Sequence, residues 1–163
     1  MREFAKIAPQ TWRDKRFRAL TSSDARLAYF YFISCEHQNS AGVCRLPALY
    51  ACADLGWKDD RYSSALDDVK TAGLVAYDAA TEEVYCLGWY SVNPAQNPSH
   101  AQFIERRISE VESDDIRELV EGEFLQSQEE REARRRGNAD NVHPLNKSDR
   151  LLATGYLNRG GRA

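Results

Sequence analysis

Cys35, His37, Cys44 and Cys52 are the residues whose types most invite metal chemistry. Their spacing, C-x-H-x6-C-x7-C, matches no common zinc pattern, and paired C-x-x-C ligands are missing. Each of these thiols, like Cys86, falls on an expected apolar face, so they read as small buried hydrophobes and no metal is expected. His37, His100 and His143 are scattered, which gives no support to a catalytic triad. The sequence has no glycine-rich phosphate loop, metalloprotease helix or nucleophile elbow. The expectation is a protein without catalytic residues or cofactor. What remains is the chemistry of binding. Arg13, Lys15, Arg16 and Arg18 are interleaved with Trp12 and Phe17, Arg45 stands alone, and Lys58, Arg61, Ser63, Ser64 and Lys70 share one segment. Cations of this kind neutralise phosphates, and small hydroxyls bond to phosphates or base edges. Trp12, Trp57 and Trp89 have faces on which bases stack, but at element ends they read better as edges of a core.

Charge is distributed in blocks. Residues 1–20 hold six bases and two acids, a net +4; residues 21–98 hold five and ten, −5. Residues 99–132 hold four bases and eleven acids, −7; residues 133–163 hold seven and two, +5. Such blocks suit interaction surfaces more than an enzyme cleft. No apolar run approaches the ~20 residues of a membrane span, so no membrane association is expected. The opening MREFAKIAPQTW lacks the apolar core of a secretion signal. A cytoplasmic protein with reduced thiols is expected.

The elements that must carry these residues can be read in order. EFAKIAP alternates apolar and polar residues and suggests a short edge strand ended by Pro9. TWRDKRFRAL suggests a helical turn. TSSDARLAYFYFISCEH begins a helix, with Thr21 as N-cap and Asp24 reaching back to it. Its run from Leu27 to Ile33 is apolar on most of the circumference, as in a central core helix. QNSAG is turn chemistry, and VCRLP is β-prone with Pro47 suited to a first helical turn. ALYACADLG offers Leu49, Cys52 and Leu55 as a buried stripe with Gly56 as stop. DDRYSSALDDVKTAG places Tyr62, Ala65, Leu66 and Val69 on one helix face, with Gly73 as left-handed C-cap. LVAYD and EVYCLGWY, joined by AATE, predict a hairpin.

Helix, short strand, helix, turn, helix, hairpin is the order of a winged helix-turn-helix. The expected fold is mainly α with a small β-hairpin, extended by C-terminal helices. Its parts are a winged domain over 1–93, a Pro-rich linker over 94–98, a helical extension over 99–136 and a flexible basic tail over 137–163. The stretches WRDKRFRAL, SAGVCRLP, ADLGW, AGLVAYD and NPAQNP, within residues 4–100, resemble the N-terminal winged-helix domain of phage and prophage replication proteins, the replisome organisers of the DnaD or replication protein O type. That resemblance implies a non-enzymatic module that binds duplex DNA and recruits replication proteins. Residues beyond 100 carry no helicase-loader motif of that kind. A phage transcriptional regulator on the same fold, and a winged helix that docks only protein, stay open.

The helix from Asp59 to Ala72 holds Asp59, Asp60, Asp67 and Asp68 against Arg61 and Lys70. Asp59 as N-cap and Asp60 in the first turn would favour the helix. Asp67 and Asp68 would oppose phosphates if the helix lay flat in a groove, so insertion by its N-terminus is expected. There Lys58, Arg61, Ser63 and Ser64 would lie nearest the bases, while Arg13, Lys15, Arg16, Arg18 and Arg45 supply phosphate contacts. The hairpin tip, with Glu82 and Glu83 and no base, is not expected in a minor groove. In the C-terminal helix, capped by Ser113, Ile116, Leu119, Val120, Phe124 and Leu125 form an apolar stripe. It is expected either to fold back on the core or to bind a partner, whether a second copy in a homodimer or a replication or transcription protein.

Overall fold

The computed structural model describes residues 4–140. Helices dominate, around a three-stranded antiparallel sheet of order β1-β3-β2. In chain order the elements are α1 (Lys15–Ala19), α2 (Ser23–Ser34), β1 (Val43–Arg45), α3 (Ala48–Leu55), α4 (Asp59–Thr71), β2 (Val75–Asp78), β3 (Glu83–Cys86), α5 (Trp89–Val92), α6 (Pro98–Ser109) and α7 (Asp114–Asp140). The chain divides into a compact unit ending at Glu130 and a second beginning at Arg131. Of the expected tail, residues 137–140 continue α7, and 141–163 lie outside the described residues. Among the described residues no helix is long and apolar enough to cross a membrane.

The N-terminal segment forms no strand. Residues 4–8 are irregular, with Phe4 and Ile7 exposed, and a 3-10 turn follows at Pro9–Arg13. The cap of α2 is Ser22, whose hydroxyl accepts from the backbone N–H of Asp24 and Ala25 (3.1 and 3.4 Å). Thr21 stands one residue too early. Asp24 does not close a capping box either, because a guanidinium engages both its oxygens and forms stronger charge-assisted bonds than a backbone amide offers.

The α2 helix packs on α4, and α4 on α3. Tyr62, Ala65, Leu66 and Val69 are buried as the spacing predicts. The α3 stripe is different: only Ala51 is buried, Cys52 and Leu55 are half-buried, and Leu49 is 78% exposed. Small Ala51 is what faces the core across this two-turn helix, and Leu49 points away from it. Pro47 serves as N-cap, and Gly56 ends the helix at φ 65°. Lys58, not Asp59, is the N-cap of α4, so Asp59 and Asp60 both lie in its first turn.

Before β1 the chain is pinned from several sides. Buried Gln38 donates from Nε2 to the carbonyls of Phe32 and Gly42 (3.0 and 3.3 Å). Trp89 Nε1 donates to the Ser40 carbonyl and the Tyr90 hydroxyl to that of Ala41 (3.0 and 3.1 Å). Gly42 has φ 79°, and a Cβ there would lie 2.4 Å from the Trp89 ring. Only glycine fits both constraints.

All four residues of β3 are buried. Cys86 lies by Gln38 Nε2 (3.6 Å), whereas Tyr85 and Glu83 bond to the C-terminal helices. Strand alternation thus sends the two sets to opposite faces, and both faces are covered. Glu83 accepts from the backbone N–H of Glu112 and Ser113 (3.1 and 2.8 Å) at the start of α7. Ser113 Oγ caps that helix, as the sequence predicts, by accepting from the N–H of Ile116 (3.4 Å). One turn beyond Val120, Glu123 accepts from the Tyr85 hydroxyl (2.7 Å) and the Gly88 N–H (2.8 Å). Ile116, Val120 and Phe124 are buried in the same core as Phe32 and Leu74, as are Ile104 and Ile108 of α6. The 94–98 segment is therefore a bend within one core: Ala95 is buried, and Asn97 caps α6 through the N–H of His100 (2.8 Å).

Glu123→Ala leaves the buried Tyr85 hydroxyl and the Gly88 N–H without an acceptor. An unsatisfied buried group costs about 1–3 kcal/mol. Urea denaturation should show a loss of about that size with an unchanged slope, whereas a loss within measurement error would deny the carboxylate this role.

Candidate nucleic-acid interface

The cations that the sequence singles out fall into two sets. One set is held by the protein itself. The Arg16 side chain pairs with Asp14 (2.9 Å), the N-cap of α1, and donates from Nη1 to the Gly73 carbonyl (2.9 Å). It thereby fixes α1 beside the C-terminal end of α4. Arg61 forms a two-pronged pair with Asp24 (2.7 Å for each bond), and its guanidinium lies 4.4 Å from the Trp57 ring centroid. Arg45 pairs with Glu82 (3.3 Å), and Lys70 with Asp67 (3.7 Å).

The other set has no such engagement. Arg13, Lys15, Arg18 and Lys58 are exposed, and among the described residues none forms a salt bridge. Arg26 is also exposed; its Nε donates to the Leu20 carbonyl (3.0 Å) and its guanidinium lies 5.8 Å from the Phe17 ring. Arg26 carries no signal in the sequence, since it sits in an apolar helix with no basic neighbour. Arg13, Lys15 and Arg18 neighbour Arg16 in sequence, in and just before α1, and only Arg16 among them bonds to the chain just past α4. Lys58 stands at the other end of α4, a helix length of about 20 Å away. The unpaired cations are thus Lys58 at the start of α4 and the exposed group around α1, with Arg16, Arg45, Arg61 and Lys70 removed from the expected set by their own partners.

Ser63, Ser64, Asp67, Asp68 and Thr71 of α4 are all exposed. Asp67 is partly offset by Lys70. Lys58 gives no side-chain bond to the first turn, so backbone N–H donors there are open to solvent or an anion. The hairpin tip differs from the expectation in one respect. Glu82 is at the turn, in the left-handed region at φ 56°, but Glu83 is buried and committed to α7.

The stripe expected to meet a partner divides as well. Ile116, Val120 and Phe124 are buried in the protein's own core, which corrects their assignment as partner-binding. Leu119 and Leu125 remain exposed, because each lies a step around the helix from the face that Glu83 and Glu123 hold down.

Comparison with protein-family models, with curated protein sequences and with solved structures finds no match to the chain.

The arginine partners hold the Asp14 and Asp24 carboxyls below their ordinary pKa, chiefly through the side-chain bonds from Arg16 and Arg61. A carboxyl lowered on folding adds stability that is present above its unfolded pKa and lost as pH falls through its folded one. Carboxyl titration by NMR should therefore find Asp14 and Asp24 protonating below the ordinary range of about 3.9. Titration of either at that ordinary value would contradict the pairing.

Proposed function

We propose that the chain binds duplex DNA through a winged helix-turn-helix, with α3 and α4 as the helix-turn-helix and β2–β3 as the wing. The order of elements supports this reading, as does an α4 helix buried on one face and open on the other. The observation that carries it is the exposed set Arg13, Lys15, Arg18 and Lys58, unpaired in a region whose other cations are mostly paired. With the N-terminal end of α4 entering a major groove about 12 Å wide, Lys58 beside it and the cations around α1 can reach phosphates.

In this arrangement α4 presents Ser63 and Ser64 to base edges, and Asp67 can accept from a cytosine amino group. Arg16 and Arg61 act indirectly: Arg16 sets the position of α1, and Arg61 stiffens the start of α4 against α2. The affinity is mainly electrostatic, with modest base readout. The short hairpin, tied at Glu82 and Glu83, stays out of the minor groove. By the resemblance of residues 4–100, the biological role is replication initiation or replisome organisation, with recruitment of a protein partner. No catalytic step or cofactor is part of this role.

Fluorescence anisotropy with a labelled duplex at several salt concentrations tests the reading. Replacing Arg13, Lys15 and Arg18 together by Ala should weaken binding at low salt and lower the salt slope by about 2–3. Arg16 is left in place because it holds the fold. Absence of binding by the parent protein at low salt, or an unchanged slope in the triple variant, would overturn it.

A further inference from the structure

The apolar residues of two exposed faces of the compact unit are not used by the DNA-binding reading, although Arg13 borders the first of them. On α2, Ser23, Leu27, Phe30 and Ser34 recur at i, i+4, i+7 and i+11 and so share one side. Leu27 is 49% exposed, and Trp12, 61% exposed, lies 5.5 Å from the Phe30 ring. The rim is cationic: Arg13 and Arg26 are exposed, while the nearby acids Asp14 and Asp24 are already paired with Arg16 and Arg61.

The second face is on α7. At about 100° per residue, Asp115, Glu118, Leu119, Gly122, Leu125 and Glu129 occupy about a third of the circumference. It lies away from buried Ile116, Val120 and Phe124. Asp115, Glu118, Leu119 and Gly122 line a shallow groove, and a Cβ on Gly122 would meet nothing within 4 Å. Two exposed leucines thus flank a backbone that a side chain can approach closely, inside an acidic border.

We infer that a second copy of the chain seats its Trp12–Leu27–Phe30 face on the α7 face of the first, in a head-to-tail contact. The two faces have complementary composition: aromatic and aliphatic with a basic rim, and aliphatic around a glycine with an acidic rim. Nucleic acid suits neither face as well, since it is repelled by α7 and gains nothing from Leu27. Joined head to tail and not reciprocally within one pair, each contact leaves one face of each kind free. A heterologous contact of this sort propagates into a ring or an open array instead of stopping at a dimer. The inference does not rest on DNA binding, and its test contains no DNA.

Sedimentation velocity of the full chain, over a range of concentration at low and high salt, reads the assembly. The parent protein should grow beyond a dimer with concentration and shrink at high salt. Leu27→Glu spoils only the basic face, and Leu119→Glu only the acidic one, and the two spoiled faces repel each other. Each alone should weaken self-association by at least about tenfold. Mixed in equal amounts they should form a one-to-one dimer and nothing larger, because each retains the face that the other lacks. Leu27→Gln with Leu125→Arg repeats the pairing at exposed positions, should either first variant fail to fold. A parent protein that stays monomeric, or stops at a dimer, overturns the proposal. So does a mixture that does not pair.

Discussion

Glu83 and Glu123 bind the C-terminal helix to the central strand of the sheet, and much of the remaining architecture depends on that attachment. Glu83 takes two backbone N–H groups at the start of α7, where the helix dipole also favours a negative charge. Glu123 takes the Tyr85 hydroxyl and the Gly88 N–H further along. Charge-assisted bonds to donors without another partner are among the stronger polar contacts available inside a protein. They fix both the position of α7 and its rotation about its own axis. Ile116, Val120 and Phe124 must then point inward, and Leu119 and Leu125 must remain outside. With α7 in place, β3 is covered on both faces, and the hairpin is anchored at its base.

A similar division governs the charged surface. Acids close in space but distant in sequence engage several of the cations. Asp24 reaches Arg61 across 37 residues and Glu82 reaches Arg45 across 37, while Arg16, paired locally with Asp14, also bonds to the Gly73 backbone carbonyl 57 residues away. These contacts turn basic residues into braces, and within the candidate site what is left for an external anion is a smaller set, Lys58 at the start of α4 and Arg13, Lys15 and Arg18 around α1. Net charge alone hides this, since the chain as a whole is −3. Association with an anion is decided by local potential, not by the total.

The parts of the fold readable from sequence were those set by local periodicity and turn chemistry. Tyr62, Ala65, Leu66 and Val69 mark the inner face of α4 because a helix repeats every 3.6 residues. Gly56 and Gly73 mark helix ends because they adopt positive φ (65° and 69°). The hairpin followed from two β-prone runs with a short connection. The misreadings came from competition that local spacing does not register. Ser22 displaced Thr21 as a cap, Asp24 was drawn off by a distant arginine, and Leu49 was left outside because α3 meets the core through Ala51. Gly42 illustrates the same limit: its need for glycine is set by Trp89, far along the chain. The candidate site is legible as a set of basic residues, but not which of them are free, because Arg45 and Arg61 are taken up by acids 37 residues away.

The central functional claim is that the unpaired cations around α1 and at the start of α4 meet the phosphates. Lysine acetylation read by mass spectrometry, with and without a duplex at low salt, addresses it residue by residue. Lys15 and Lys58 should become protected by DNA, while Lys70, paired with Asp67, should change much less. Equal reactivity of Lys15 and Lys58 with and without the duplex, or protection confined to Lys70, would contradict the account.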